Sequence, residues 1–377
     1  MATILVISFT DLKRDPRVHR QIEALRTHHT VIATGTGDPE LPDVRFVGCE
    51  RSARTLLSKL WDGVELLLRR YELHYWGMEH VRELQRKLEG LSFDVAIAND
   101  LEALPLALSL AGRRPVILDA HEYSPREFED KLVWRLTWQG SAQHLCSRYL
   151  SRAAAMITVC DGIALEYRRN FAVEAAVVPN AAPWHPLSPK TTRGDTLRMI
   201  HHGAAVSSRG IETMIEVMRH VDERFHLDLM LVPLSLPYLK RLSVIARKVP
   251  RTRILPPVAI HDLVPAGNDY DIGLYLLRPN SFNNLFALPN KFFEFLQARL
   301  AIAIGPSPEM ARIVREFGCG VVADDFAPTS LARALNRLTA ADIDRMKAGS
   351  EKAAHVYTAE NYAEKVREIV TSVLKEF

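Results

Sequence analysis

The sequence runs to 377 residues with 47% hydrophobic and 25% charged positions, a globular composition at the length of two domains. A formal net charge of +3, from 48 basic against 45 acidic residues, is too even to argue for a nucleic-acid partner. The four cysteines, Cys49, Cys146, Cys160 and Cys319, have no close pair, which speaks against a zinc site or disulfide framework and for a reduced, cytoplasmic chain.

The opening apolar run has no basic leader and is too short to span a bilayer, so Thr3 to Ser8 is predicted as a strand buried on both faces. Asp15-Pro16 then opens a helix, with Asp as cap and Pro at the first turn, and Val18, Ile22 and Leu25 follow at helical spacing. Strands are expected at Thr30–Ala33 and Val44–Val47. This βαβ start lacks the G-x-G-x-x-G fingerprint of dinucleotide binders, so a nicotinamide enzyme is a poor reading. Residues 52–90 read as one long helical region in which Leu56, Trp61, Val64, Leu67, Leu68 and Trp76 alternate with arginines, Arg51, Arg54, Arg69 and Arg70 among them. Such a stretch is most often an insertion packed on its own domain, and it also suits an interfacial, lipid-touching surface.

Strands follow at Phe93–Ala98, Pro115–Ala120, Ala155–Val159 and Ala175–Val178. Asn99-Asp100 and His121-Glu122 fall at the carboxyl ends of two of them, where open α/β sheets bind ligands. Pro179 to Pro189 is a proline-rich break. It places the boundaries at 1–183 for a first Rossmann-like domain with the insertion 52–90, 184–356 for a second, and 357–377 for a closing helix that returns to the first. After the break the alternation restarts. Leu197–Ile200 is a strand, His201 to Gly210 a loop, and Ile211 to Val221 a helix, with later strands at 227–232, 253–255, 272–277, 301–304 and 320–323. Between the fourth and fifth of these second-domain strands, Pro289-Asn290 starts a helix with Asn as cap, and Lys291 and Glu294 share one face while Phe292, Phe295 and Leu296 turn inward. A cation and a carboxylate there suit a ligand with phosphates and hydroxyls; the plainer alternative is a surface ion pair.

The ordered landmarks Arg14-Asp-Pro-Arg-Val18, Leu118-Asp-Ala-His-Glu122, Val178-Pro-Asn180, His202-Gly-Ala with Arg209-Gly210, Pro289-Asn-Lys-Phe-Phe-Glu294 and Pro308-Glu-Met310 resemble a known family. It is the family-four glycosyltransferases of GT-B fold, the group-one enzymes of bacterial polysaccharide and glycolipid assembly, and the resemblance covers nearly the whole chain. It implies an α/β fold of two facing Rossmann-like domains with parallel sheets and a cleft between them. The first holds a glycan or lipid-linked saccharide acceptor and the second a nucleoside-diphosphate sugar, with retention of anomeric configuration, no metal and no cofactor. The resemblance also implies residue roles. Arg209, at a helix start, and Lys291 neutralise the departing diphosphate, and His121 contacts the donor sugar. Glu294 binds the ribose hydroxyls, while Gly203, Gly210, Asn290 and Glu309 complete the donor side. Arg14, Arg17, Asp100 and Glu122 are the acceptor-side candidates.

The sequence departs from the family in two places: Phe286 stands where the first glutamate of the motif is expected, and Ala204 where a second arginine often lies. A nucleotide-sugar epimerase of the same fold is a second reading, and the two departures favour a third, a catalytically silent nucleotide-sugar-binding partner. The aromatic and basic region 52–90 suits contact with the inner membrane surface, which would make the protein cytoplasmic and peripheral.

Overall fold

The β-branched and apolar runs of the first half line up as one parallel sheet. Its strands are β1 (Thr3–Ile7), β2 (Thr30–Gly35), β3 (Val44–Gly48), β4 (Val95–Asn99), β5 (Val116–Ala120), β6 (Ala155–Thr158) and β7 (Ala176–Val177), in the spatial order β3-β2-β1-β4-β5-β6-β7. Ile4 to Ile7 and Val95 to Ala98 are wholly buried, because parallel strands carry helices on both faces. Those helices are α1 (Pro16–Arg26), α2 (Leu56–Leu67), α3 (Tyr71–Gly77), α4 (Glu79–Leu88), α5 (Leu104–Ala111), α6 (Leu132–Tyr149) and α7 (Asp161–Phe171). The structure is a computed structural model that describes residues 1–50 and 56–377, with the backbone alone at 56, 57, 59 and 60; Arg51 and Arg54 lie outside the described residues.

The second half repeats the plan with β8 (Leu197–Ala204), β9 (Phe225–Val232), β10 (Thr252–Leu255), β11 (Ile272–Tyr275), β12 (Ala301–Ile304) and β13 (Gly320–Val322), in the order β10-β9-β8-β11-β12-β13. Its helices are α8 (Glu212–Val217), α9 (Leu236–Ala246), α10 (Leu263–Gly267), α11 (Phe282–Leu285), α12 (Asn290–Gln297), α13 (Pro308–Phe317), α14 (Pro328–Asn336), α15 (Ala340–Val356) and α16 (Ala359–Glu376). One compact unit comprises Met1–Pro179, Ser281–Asn283 and Tyr362–Phe377, the other Asn180–Asn280 and Asn284–Asn361. Val366, Val370 and Val373 of α16 join the first unit's core with Ile4, Val6 and Ile22.

Three details differ from the sequence reading. The helical region 52–90 is three helices, because Arg69 takes a left-handed φ of 57° between α2 and α3, and Met78 is extended between α3 and α4. β8 runs on through His201, His202 and Gly203 to Ala204, paired with Leu229 to Val232, where a loop was expected. The helix after Gly210 spans only Glu212–Val217 and follows a 3-10 turn at Ser207–Arg209. In both sheets the strand order reverses beside the first strand, at β1/β4 and at β8/β11. The carboxyl ends there are the places such sheets offer a ligand.

In the first unit, Asp15 caps α1 as expected, accepting from the backbone amides of Arg17 and Val18. Arg17 does not face a ligand space. Its side chain is 8% exposed and its Nε reaches both oxygens of Asp119 at 3.1 and 3.0 Å, while Nη1 donates to the Val178 carbonyl at 2.7 Å. Gln21 donates to Asp119 at 2.8 Å, and Asn99 donates to Gln21 at 3.0 Å. Arg17 is therefore a structural strut across the sheet end, a correction to its placement on the acceptor side. Arg14 is 86% exposed and pairs with Asp11 at 3.5 Å, so it does not line the first unit's cavity described below.

Candidate functional site

The second unit gathers its charged groups at the ends of β8 and β11. Lys291, in the first turn of α12, is 9% exposed and places Nζ 3.3 Å from His201 Nε2 and 4.9 Å over the Tyr275 ring. His201 Nδ1 lies 3.0 Å from the Leu274 carbonyl, which only accepts, so Nδ1 carries the proton and Nε2 accepts from the lysine. Among the described residues no carboxylate pairs with Lys291, so the surface ion pair weighed from the sequence does not form. Burial, reinforced by Arg209 and opposed by Glu294, pulls its ammonium down to about 7.

Gly203 makes this approach feasible. Its φ is 130°, and a Cβ there would lie 3.0 Å from Lys291 Nζ. Gly210, at φ 53°, turns the chain after Arg209, whose side chain is exposed. Because α8 is so short, cationic side chains rather than a long helix dipole supply the positive field. Tyr275 stacks on His201 with ring centroids 5.9 Å apart, and its buried hydroxyl has no hydrogen-bond partner among the described residues. Burial raises the Tyr275 phenol and Arg209 opposes that shift: the guanidinium acts through its charge, short of a well-formed hydrogen bond. A desolvated ammonium, a guanidinium and an unspent phenol at a sheet switch point suit a multiply charged, oxygen-rich anion.

Glu294 lies one turn along α12, its Oε2 3.6 Å from His202 Nδ1. Burial and then Lys291 drive His202 down to about 3, so it is neutral, as is His201, which the same two effects hold well below its ordinary range. Pro289, not Asn290, occupies the cap of α12; Asn290 is its first residue, and its buried Oδ1 has no hydrogen-bond partner among the described residues. Glu309 is 5% exposed in the first turn of α13, with Arg312 3.5 Å away. Phe286 stands half-buried just after α11.

His121, Asp100 and Glu122 all line a cavity of 830 Å³ in the first unit. The His121 amide donates to Asp100 at 2.9 Å, Nδ1 lies 3.2 Å from Asp100 Oδ2, and Nε2 lies 3.3 Å from Asn99 Oδ1. Asp100 itself is bent to φ 65° and ψ 163°, a conformation that is costly for any residue but glycine. Its carboxyl is raised by burial, against the pull of His121. Although 41% of the side chain is accessible, that surface faces the cavity, so exposure and desolvation coexist. Glu122 accepts from Asn283 Nδ2 at 3.1 Å. The remaining wall includes Tyr75, His80, Glu127, Trp134 and Trp138, none of them singled out from the sequence as a site residue. Tyr275 and Glu127 gave no sequence signal, since neither belongs to a motif. His201 sat beside one and read as part of a loop.

Residues 15–181 match the model of the glycosyl transferase 4-like domain. No curated protein matches the chain in sequence. Among solved structures, sucrose-phosphate synthase from Thermosynechococcus elongatus is 12% identical with a TM-score of 0.77, covering 100% of both chains. HepE of Anabaena in complex with UDP-glucose is 13% identical with a TM-score of 0.71, over 99% of this chain and 100% of that one. Trehalose-6-phosphate synthase from Burkholderia multivorans is 11% identical with a TM-score of 0.69, over 98% and 99%. The chain shares the α/β GT-B fold with these proteins.

Proposed function

We propose that this chain, with a glycosyl transferase 4-like first domain, is a glycosyltransferase that moves a sugar from a nucleoside diphosphate to a saccharide acceptor. The single observation that carries this reading is Lys291, a buried cation that no carboxylate pairs with among the described residues, set beside Arg209 and the unspent Tyr275 hydroxyl. Such a group is costly to bury alone and is stabilised when an anion arrives. In this reading Lys291 and Arg209 hold the diphosphate and take up charge as the glycosidic bond breaks, Tyr275 donates to a phosphate oxygen, and Glu294 accepts from the ribose hydroxyls. Gly203 leaves room for the ammonium, Gly210 aims Arg209, and Glu309 and Asn290 border the donor. His121 serves the sugar. The transfer retains anomeric configuration and needs no metal or other cofactor, and its product belongs to cell-surface polysaccharide or glycoconjugate assembly. The UDP-glucose bound by HepE makes UDP-sugars the first donors to try.

The test is a melting panel of nucleoside diphosphates and their sugars on wild type and Glu294→Ala. One nucleotide is expected to raise the wild-type melting temperature, because a ligand at about 100 times its Kd adds about 2.7 kcal/mol. Glu294→Ala is expected to weaken that nucleotide by about 1.5–3 kcal/mol, the worth of hydrogen bonds to a charged group. If no nucleotide shifts the wild type, the donor site does not exist.

A peripheral membrane contact is supported by the first unit's exposed apolar surface. Trp61, Leu67 and Leu68 are 68%, 62% and 59% exposed beside Arg69 and Arg70, and Val133 on the neighbouring α6 is 74% exposed. Packing against the domain, the commoner role for such a stretch, is taken instead by Leu66 and Tyr75. Among the described residues no helix is long and apolar enough to cross a membrane. Co-sedimentation with vesicles containing anionic lipid is expected for wild type and lost in Trp61→Glu. Wild type that stays in the supernatant removes the membrane contact.

A further inference from the structure

The cavity of the first unit has a one-sided electrostatic lining. Asp15, Glu79, Asp100, Glu102, Glu122 and Glu127 contribute to its wall, and among the described residues no lysine or arginine does. Most of these carboxylates are already engaged. Asp15 caps α1, Glu102 lies 2.8 Å from His80 Nε2, Asp100 holds His121, and Glu122 accepts from Asn283. Glu127 is different. Its side chain makes no hydrogen bond or ion pair among the described residues, and burial followed by the charges of Glu122, Asp100 and Glu102 pushes it up to about 8. At neutral pH it is therefore largely a protonated acid, a hydrogen-bond donor with no partner among the described residues.

A second polar group stands in the same position for a different reason. Ser141, on α6, is 5% exposed and lines the cavity, and its hydroxyl has no hydrogen-bond partner among the described residues. On the same helix as Ser141, the indoles of Trp134 and Trp138 also line the cavity, the latter braced edge-on by His74 at 5.2 Å between ring centroids. Aromatic faces beside unspent hydroxyl and carboxyl groups are what a sugar ring needs: its C–H face stacks and its hydroxyls hydrogen-bond. The volume is also right, within the roughly 300–1,000 Å³ of small-molecule pockets.

We propose that this cavity is the acceptor subsite and admits a glycosyl unit without negative charge, the acidic wall around Glu122 being what enforces the rule. The subsite's role as acceptor site rests on the glycosyltransferase reading; its charge selectivity rests on the wall alone. A neutral sugar accepts from the Glu127 carboxyl. An amino sugar instead lets Glu127 ionise against its ammonium, whereas a uronate or phosphate meets an acidic wall to which, among the described residues, no lysine or arginine contributes.

The test uses the full chain without nucleotide and pairs of phenyl glycosides that differ at one carbon: glucoside, glucosaminide and glucuronide, with the matching galacto series. Binding is read by titration calorimetry and saturation-transfer NMR. At least one neutral or amino glycoside is expected to bind wild type, with its uronide weaker by about tenfold or more, as like charges at close range require. Glu122→Gln, which keeps the shape and removes a charge of the wall, is expected to narrow that gap, and Trp138→Ala to weaken every glycoside alike. A uronide that binds wild type as tightly as its neutral partner overturns the proposal. So does a gap that Glu122→Gln leaves unchanged in a variant melting like wild type, and so does the absence of binding by any glycoside. The nucleotide melting panel separates the two readings. A nucleotide shift without the charge gap sinks this proposal alone, and a charge gap without a nucleotide shift sinks the donor site alone.

Discussion

Lys291→Met is expected to lower transfer activity by about 10²–10³-fold while raising the melting temperature of the ligand-free protein. The activity loss follows from removing a preorganised cation aimed at a developing negative charge, an effect of that order where single electrostatic donors are deleted. The stability gain follows from the same burial. The ammonium is 9% exposed, its nearest polar partner is a neutral imidazole, and Arg209 repels it. Methionine fills similar space without a charge, and replacing buried charges by apolar groups often gains about 1–4 kcal/mol. An unchanged turnover, or a variant that melts lower than wild type, would mean that Lys291 is a structural cation and not a poised one.

The same residue sets a pH signature. Its folded-state value of about 7 lies below that of a lysine in the unfolded chain, about 10.4. Between those values the unfolded chain holds a proton that the folded chain has lost, so ligand-free stability from this group rises with pH from about 7 to about 10. Glu127 contributes with the opposite slope at lower pH, because its raised value makes stability fall from about 4.5 to about 8. The readout is therefore wild type minus Lys291→Met, which isolates the lysine. Nucleotide affinity runs against pH, since the diphosphate needs the charged ammonium and above about 7 binding must first protonate it.

The parts of this molecule that sequence shows best are those whose neighbours in space are also neighbours in the chain. Ile4 to Ile7, Val116 to Leu118 and Ala301 to Ile304 declare themselves as doubly covered strands because nothing polar interrupts them. Asp15-Pro16 declares a helix start through local capping chemistry. Lys291 and Glu294 were visible through their place in a motif, but the burial of the lysine was not, since it depends on Gly203 and Tyr275 brought in by β8 and β11. His201-His-Gly read as a loop because imidazole and glycine are poor strand formers, yet both rings are neutral and desolvated at the sheet end. Arg17 read as a ligand-facing cation because its counter-charge, Asp119, lies in a distant strand. Glu127 was invisible for the mirror reason. Its raised value is made by burial in the cavity and then by Glu122, Asp100 and Glu102, an arrangement the linear chain does not show.

Asp119→Ala is expected to destabilise the protein by about 3–5 kcal/mol, the cost of leaving one charge of a buried pair unmatched. Arg17 is 8% exposed and also donates to the neutral Val178 carbonyl, so the change removes the carboxylate against which its buried charge is set. Urea unfolding reads this as a lower midpoint at constant slope. Under the proposed function, the loss also reaches His121 of the first unit. Asp119 accepts from Gln21, Gln21 accepts from Asn99, and Asn99 Oδ1 stands 3.3 Å from His121 Nε2. Releasing the first member frees the last to turn, and the variant's residual folded population should show a lowered kcat at unchanged nucleotide affinity, because the donor groups of the second unit are untouched. The double change Arg17→Met with Asp119→Leu removes both charges, and most of the stability should return while the loss of kcat persists. Recovery of both together would make the pair a purely structural strut. Recovery of stability alone separates holding the sheet end from aiming His121.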